Sequence, residues 1–363
     1  MKFTKMLSKK VLTSMLVVSM LLVGNSLFAQ GQSEKGDKVY IAMSIHGTDN
    51  AYWNEEAEGG KLFAASLPEG TAEVQVLTCD GDDAKQLSEI KAFIATHGKD
   101  SIIYVDPSNA PNTAAIAEVC EDAGVYWCSV WHLAKGLDPN DFKYYVAHST
   151  VDGVAQGYNI SNAMFKEFKT PGTGKILALQ GQLGNDSAIE RYEGLQKALA
   201  ENPNVELIDT QVADWNPQKA LNITETWLSK YPDIDGIWCA NDGMALGALQ
   251  ALKAKGLNKV VKVVGVDGVP EAIEAIESGD MVCTVANNGY LQGGYMTAYA
   301  YSAYKGIIDP STMPRDKRLF TTKAEFVDKS NVAQFRKDFM SGKPEYDFTD
   351  LDYPIDGKFE ITK

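Results

Sequence analysis

Apolar residues along the chain fall into two kinds of pattern. Short, nearly unbroken apolar runs recur at 39–45, 74–78, 101–105, 126–130 and 144–146, and again at 175–180, 205–208, 236–239, 260–266 and 281–285. Val and Ile are frequent in them, which suits strands covered on both faces. Segments 83–97, 113–123, 151–168, 187–201, 217–230 and 243–255 instead carry apolar residues at helical spacing. This alternation predicts parallel sheets with helices on both faces. It restarts after Val151, so two doubly wound, Rossmann-like α/β lobes are expected. The length agrees, since 363 residues are more than one core normally serves.

In such sheets ligands bind beyond the carboxyl ends of the strands. The residues there are polar or aromatic: Asp106 after the third run, Trp131 and His132 after the fourth, then Asn241 and Asp242, Asp267 and Asn287. Any one Asp or Asn in such a place serves equally well as a helix cap or turn residue, and Asp106-Pro107 is a good turn signal by itself. Their number, with aromatic rings nearby, points to a site. Tyr52 and Trp53 stand beside Asn50, and Trp215 lies in Ala213-Asp214-Trp215-Asn216. Flat rings cover the C–H faces of a sugar ring, while Asn, Asp and Arg meet its hydroxyls. Core packing is the competing role for each aromatic.

Chemistry is harder to find. A Gly-x-Ser-x-Gly elbow, a Walker phosphate loop and a His-Glu-x-x-His helix are absent from the sequence. The four histidines, His46, His97, His132 and His148, have no metal-ligand spacing. The five cysteines are odd in number and form no Cys-x-x-Cys pair. They read as small buried apolar residues, with a Cys120–Cys128 disulfide open in an oxidising compartment. Binding rather than catalysis is expected, with no metal and no cofactor.

The N-terminus bears on location. Lys2, Lys5, Lys9 and Lys10 precede an apolar stretch from Val11 to Phe28, then Ala29 and a polar run. That is the layout of a secretory signal over residues 1–29, cut near Ala29. An uncleaved anchor is the alternative, but Ser14, Ser19, Gly24, Asn25 and Ser26 dilute the stretch. No cysteine lies near the cut for lipid attachment, so the periplasm is the expected address. Cutting there removes four lysines and no acid, which takes the formal charge from −14 to −18. Such acidity disfavours nucleic acid as a partner.

A family resemblance rests on Trp238-Cys239-Ala240-Asn241-Asp242-Gly243, continuing to Leu249, and on Val263 to Pro270. Leu179-Gln180-Gly181 and Arg191-Tyr192-Glu193-Gly194 add to it, with matching spacing. From about Val39 to Phe320 the chain resembles ribose-binding-protein-like periplasmic sugar receptors of ABC transporters. The resemblance implies a type I periplasmic binding protein fold joined by a three-strand hinge. One lobe would comprise 30–150 plus 288–320. The other would comprise 151–287 plus 321–363, ending in a strap with Tyr346, Phe348, Tyr353 and Phe359. It also implies a ligand pocket of Asn50, Tyr52, Trp53, Asp106, Trp131, His132, Arg191, Trp215, Asn241, Asp267 and Asn287. Trp131-His132 stand where ribose receptors carry an Asp-Arg pair, so ribose itself is not expected and a sugar alcohol fits better. The implied partner of the monomer is an ABC transporter permease. The alternative is a receptor that presents its closed form to a chemoreceptor or sensor kinase.

Overall fold

The structure is a computed structural model that describes residues 38–340 and 345–358. The export signal expected at 1–29 and the aromatic Phe359 lie outside the described residues.

The first lobe is built from β1 (Val39–Ile45), α1 (Ala51–Ser66), β2 (Ala72–Thr78), α2 (Asp83–His97), β3 (Ser101–Val105), α3 (Ala110–Ala123), β4 (Tyr126–Val130) and β5 (Tyr145–Thr150). The second follows with α4 (Gly153–Lys166), β6 (Gly174–Gln180), α5 (Asp186–Glu201), β7 (Val205–Val212), α6 (Pro217–Lys230), β8 (Gly236–Cys239), α7 (Asp242–Ala254), β9 (Lys262–Val264), α8 (Pro270–Ser278) and β10 (Cys283–Ala286). The chain then supplies α9 (Gly289–Tyr304), α10 (Arg315–Arg318), β11 (Leu319–Thr322), β12 (Glu325–Asp328), α11 (Val332–Phe339) and β13 (Ile355–Lys358).

The strands form one seven-stranded sheet, in the order β13-β11-β5-β4-β3-β1-β2, and one six-stranded sheet, in the order β12-β10-β9-β8-β6-β7. Neighbours are parallel except at β10–β12 and β11–β13. Every residue of β3 is buried, which is why this strand reads as a nearly unbroken apolar run; β5 is buried throughout as well, its polar end His148-Ser149-Thr150 included. Helix starts are set by side chains: Asp82, Asn109, Asp152 and Asn216 each accept a hydrogen bond from the backbone N–H three residues on. Each such cap contributes about 1 kcal/mol. In both sheets the chain winds outward from one inner strand. β1 lies between β2 and β3, and β6 lies between β7 and β8. Crevices at such reversals, at the strands' carboxyl ends, are where α/β sheets bind ligands.

The chain passes between lobes after β5, after β10 and between β11 and β12. The expected assignment of 321–363 to the second lobe needs correction. β11 continues the first sheet to Thr322, beside β5, and the chain returns to the first lobe after α11. There Tyr295 and Tyr299 donate their hydroxyls to the carbonyls of Asp347 and Leu351, at 3.1 and 2.9 Å. Phe348 packs edge-on against Phe63 and Tyr295, and β13 pairs with β11. The physical reason is that α9 is buried on nearly every side, so its tyrosine-bearing face needs a cover. The strap is that cover. The five cysteines are buried and free, Cys120 and Cys128 included.

Candidate functional site

Ten of the eleven residues expected at a pocket line one tight cavity between the lobes, of about 40 Å³. Asn50, Tyr52, Trp53, Asp106, Trp131 and His132 come from the first lobe; Arg191, Trp215, Asn241 and Asp267 come from the second. The lobes meet around it. Asn185 donates to the Ser108 carbonyl at 2.8 Å, the Leu133 N–H to Asp186 at 3.2 Å, and Asn216 to Asp49 at 2.9 Å. A larger groove on the second lobe, bounded by Lys166, Lys259 and Lys329, lies on one lobe only.

The second-lobe wall centres on Arg191, a 3% exposed guanidinium on α5. It donates to Gln156 and to the Ala240 carbonyl, and it lies 3.7 Å from Asp267. Burial, reinforced by the neighbouring Asp242 carboxylate, raises the Asp267 pKa to about 8, even though Arg191 pulls it down. The guanidinium also stands over the Trp131 and Trp215 rings, 5.4 and 5.9 Å from their centres, so one cation ties both walls together.

Trp215 lies flat on Gly181. A Cβ there would fall 2.1 Å from the indole, which is why a glycine directly follows β6. The indole N–H donates to Asn185 at 2.7 Å. Trp131 donates its own N–H to Glu56 at 3.1 Å and meets Tyr52 edge-on. Both tryptophans, like Asp267, have positive φ, at 61°, 62° and 132°. Non-glycine residues held there are strained, and such strain gathers at binding sites.

Asn50 and Asn241 combine both roles that their positions suggest. Each side-chain oxygen caps a helix, accepting from Tyr52 N and Met244 N respectively, and each residue still lines the cavity. His132 also lines it, fully enclosed. Burial, with His46, His148 and Arg191 nearby, holds its pKa well below the usual imidazole value.

Asn287 is the exception, outside the cavity lining. It is wholly buried behind Asp267, and its amide oxygen accepts from Gln156 at 2.6 Å. Its backbone N–H donates to the Asp267 carbonyl at 3.0 Å, and its side-chain Nδ2 has no hydrogen-bond partner. Two lining residues were missed, His46 and Ser187. His46 directly follows β1, so the strand-end rule applied elsewhere would have found it. Ser187 stands one helical turn before Arg191 on α5, and that (i, i+4) spacing is its only signal. His46, Asp106 and His132 lie close enough together for one atom of each to reach a single metal ion.

Two α/β lobes clamped on a polar, aromatic cavity define a ligand-closing binding protein. Residues 41–307 match the model of the periplasmic binding protein domain, and the chain belongs to that family. It is 37% identical over 272 residues to the D-allose-binding periplasmic protein of Escherichia coli, which spans 74% of this chain and 83% of that one. Among solved structures, a twin-arginine translocation pathway signal protein from Burkholderia phytofirmans superposes with a TM-score of 0.84 at 35% identity, covering 90% of this chain and 99% of that one. An ABC transporter periplasmic solute-binding protein from Actinobacillus succinogenes, with bound D-allose, does so at 0.70 and 26% identity, covering 82% and 100%.

Proposed function

We propose that this protein captures a small polyhydroxylated ligand, a sugar or sugar alcohol, between its lobes in the periplasm and presents the closed form to an ABC transporter permease. The observation that carries the reading is the cavity itself. Each lobe contributes part of a polar and aromatic lining, so the ligand is fully held only when the lobes meet, and closure reports occupancy. The rings offer apolar faces, while Asn50, Asp106, Arg191, Asn241 and Asp267 offer charged or amide partners for hydroxyls. Charged hydrogen bonds of this kind contribute roughly 1.5–3 kcal/mol each. The names of its relatives support the ligand class, and the export signal read at 1–29 fits the compartment.

A thermal-shift screen of sugars, polyols and nucleosides tests this. A true ligand at 100 times its Kd stabilises the protein by about 2.7 kcal/mol. A shift with a sugar or polyol is expected. Shifts confined to nucleosides, or to none of the compounds, would overturn the ligand class.

A further inference from the structure

The first-lobe wall of the cavity brings together three side chains that can do more than meet hydroxyls. His46, Asp106 and His132 follow β1, β3 and β4, which are adjacent strands. Each residue is at most 4% exposed. One ligand atom from each can be chosen so that all three lie within 4.8 Å of one another.

Three details make this more than a meeting of polar side chains. His46 Nε2 stands 2.9 Å from the Pro107 carbonyl. A carbonyl only accepts, so Nε2 carries the proton and Nδ1 presents its lone pair. That Nδ1 has no hydrogen-bond partner. A ring N–H fixed by a backbone carbonyl while the other nitrogen is left free is how proteins orient a metal-binding imidazole. Asp106 Oδ1 is likewise buried without a hydrogen bond. It lies 3.9 Å from His132 Nε2; its 3.5 Å contact with His46 is to the protonated Nε2 edge. Finally, the wall holds no Lys or Arg: Arg191 reaches across from the opposite lobe and engages Gln156, Ala240 and Asp267.

We propose that His46, Asp106 and His132 form a binding site for a divalent transition metal of the zinc type, open toward the ligand cavity. Two imidazoles and one carboxylate suit zinc or cobalt better than magnesium or calcium, which prefer all-oxygen sites. Three protein ligands leave a coordination position open. Resting on the reading of a polyhydroxylated ligand, that position takes a ligand oxygen, and the metal becomes part of the capture surface. Compounds that present two neighbouring oxygen atoms would be favoured, since both can reach the ion.

The test separates the metal from the sugar. Chelator-treated full-length protein is titrated with Co²⁺ alone, followed by visible absorption, and with Zn²⁺ alone, followed by calorimetry. The site predicts stoichiometric uptake and the intense visible bands of cobalt in a low-coordinate nitrogen–oxygen site. His46→Gln and His132→Gln should weaken uptake by about 100-fold or more. His97→Gln, at the far end of α2, should leave it unchanged. A wild-type protein that shows only the pale spectrum of hydrated cobalt overturns the site, whether or not the variants fold. So does uptake that both site variants retain. Sugar or polyol affinity is then measured with and without zinc. Equal affinity in the two conditions overturns the metal's part in capture and leaves the capture reading standing. Stoichiometric metal with no sugar or polyol bound in either condition supports the site and counts against capture.

Discussion

Trp131 decides what kind of edge a ligand meets on the first lobe. Its N–H is already spent on Glu56, so it offers the cavity an apolar face and no donor. A hydroxyl aimed at that face loses its partner, which costs about 1–3 kcal/mol. Ribose should therefore bind poorly, and the preferred ligand should present a less polar edge there. Calorimetry with ribose on the wild type and on Trp131→Ala checks this. Tight ribose binding that survives Trp131→Ala would discard the argument. The sequence marked Trp131 as a site residue but not the loss of its N–H, because Glu56 lies 75 positions away. A similar limit applies to His132. An accessible imidazole there would titrate near pH 6.5 and carry affinity with it, but burial keeps this one neutral. The clearest histidine effect is on stability. His148 is buried, which lowers its pKa to about 3. The unfolded chain binds a proton there that the native state refuses. The contribution of His148 is thus complete above about pH 6.5 and is lost as pH falls toward 3. Between pH 6.5 and 5 it amounts to about 2 kcal/mol. His46 shifts the other way: burial presses its pKa down, but Asp106, the Pro107 carbonyl and Asp83 together raise it more, so its contribution is greatest in acid and fades as pH rises. Urea unfolding of wild type and His148→Gln at both pH values isolates the His148 part. The variant should lose less stability on acidification, and parallel losses would refute the assignment.

Among the elements, α9 is the one whose pattern says least. It is apolar on nearly every side and has no amphipathic stripe to announce it. It packs so tightly on α1 that a Cβ at Gly293 would fall 2.0 Å from the Glu56 carbonyl oxygen. Gly293→Ala must push the helices apart. Overpacking of this kind costs typically about 1–3 kcal/mol, and the displaced Glu56 should loosen Trp131 as well. A lowered urea midpoint together with weakened ligand binding is expected; unchanged stability would show that the helices can part freely. The strands were easier to read. β1, β3, β4 and β8 match their apolar runs to the residue, because continuous burial leaves a continuous pattern. β5 runs to Thr150 instead of stopping at 146, since its polar end is buried beside β4 and β11. Neighbours supplied by distant sequence are invisible to a local pattern. The strap failed for the same reason: the surface it covers belongs to Phe63, Tyr295 and Tyr299, far back along the chain.

For the whole molecule, the two lobes act as one device only if the cavity couples them. Arg191 from one lobe stands over Trp131 of the other, while its ion-pair partner Asp267 begins the turn into α8 and bridges Ala286 at the end of β10, just before the crossing into α9. A ligand that replaces water against this pair favours the closed arrangement by its differential affinity for it. Removing one member leaves the other charge buried and unpaired, a loss of roughly 2–5 kcal/mol in binding. The measurement that tests the central claim most directly is calorimetric titration of wild type, Arg191→Ala and Asp267→Ala with the sugar or polyol that gives the largest thermal shift. Stoichiometric binding to the wild type, weakened by that amount in both folded variants, is the predicted result. Unchanged affinity in both variants would place the ligand elsewhere and contradict capture between the lobes.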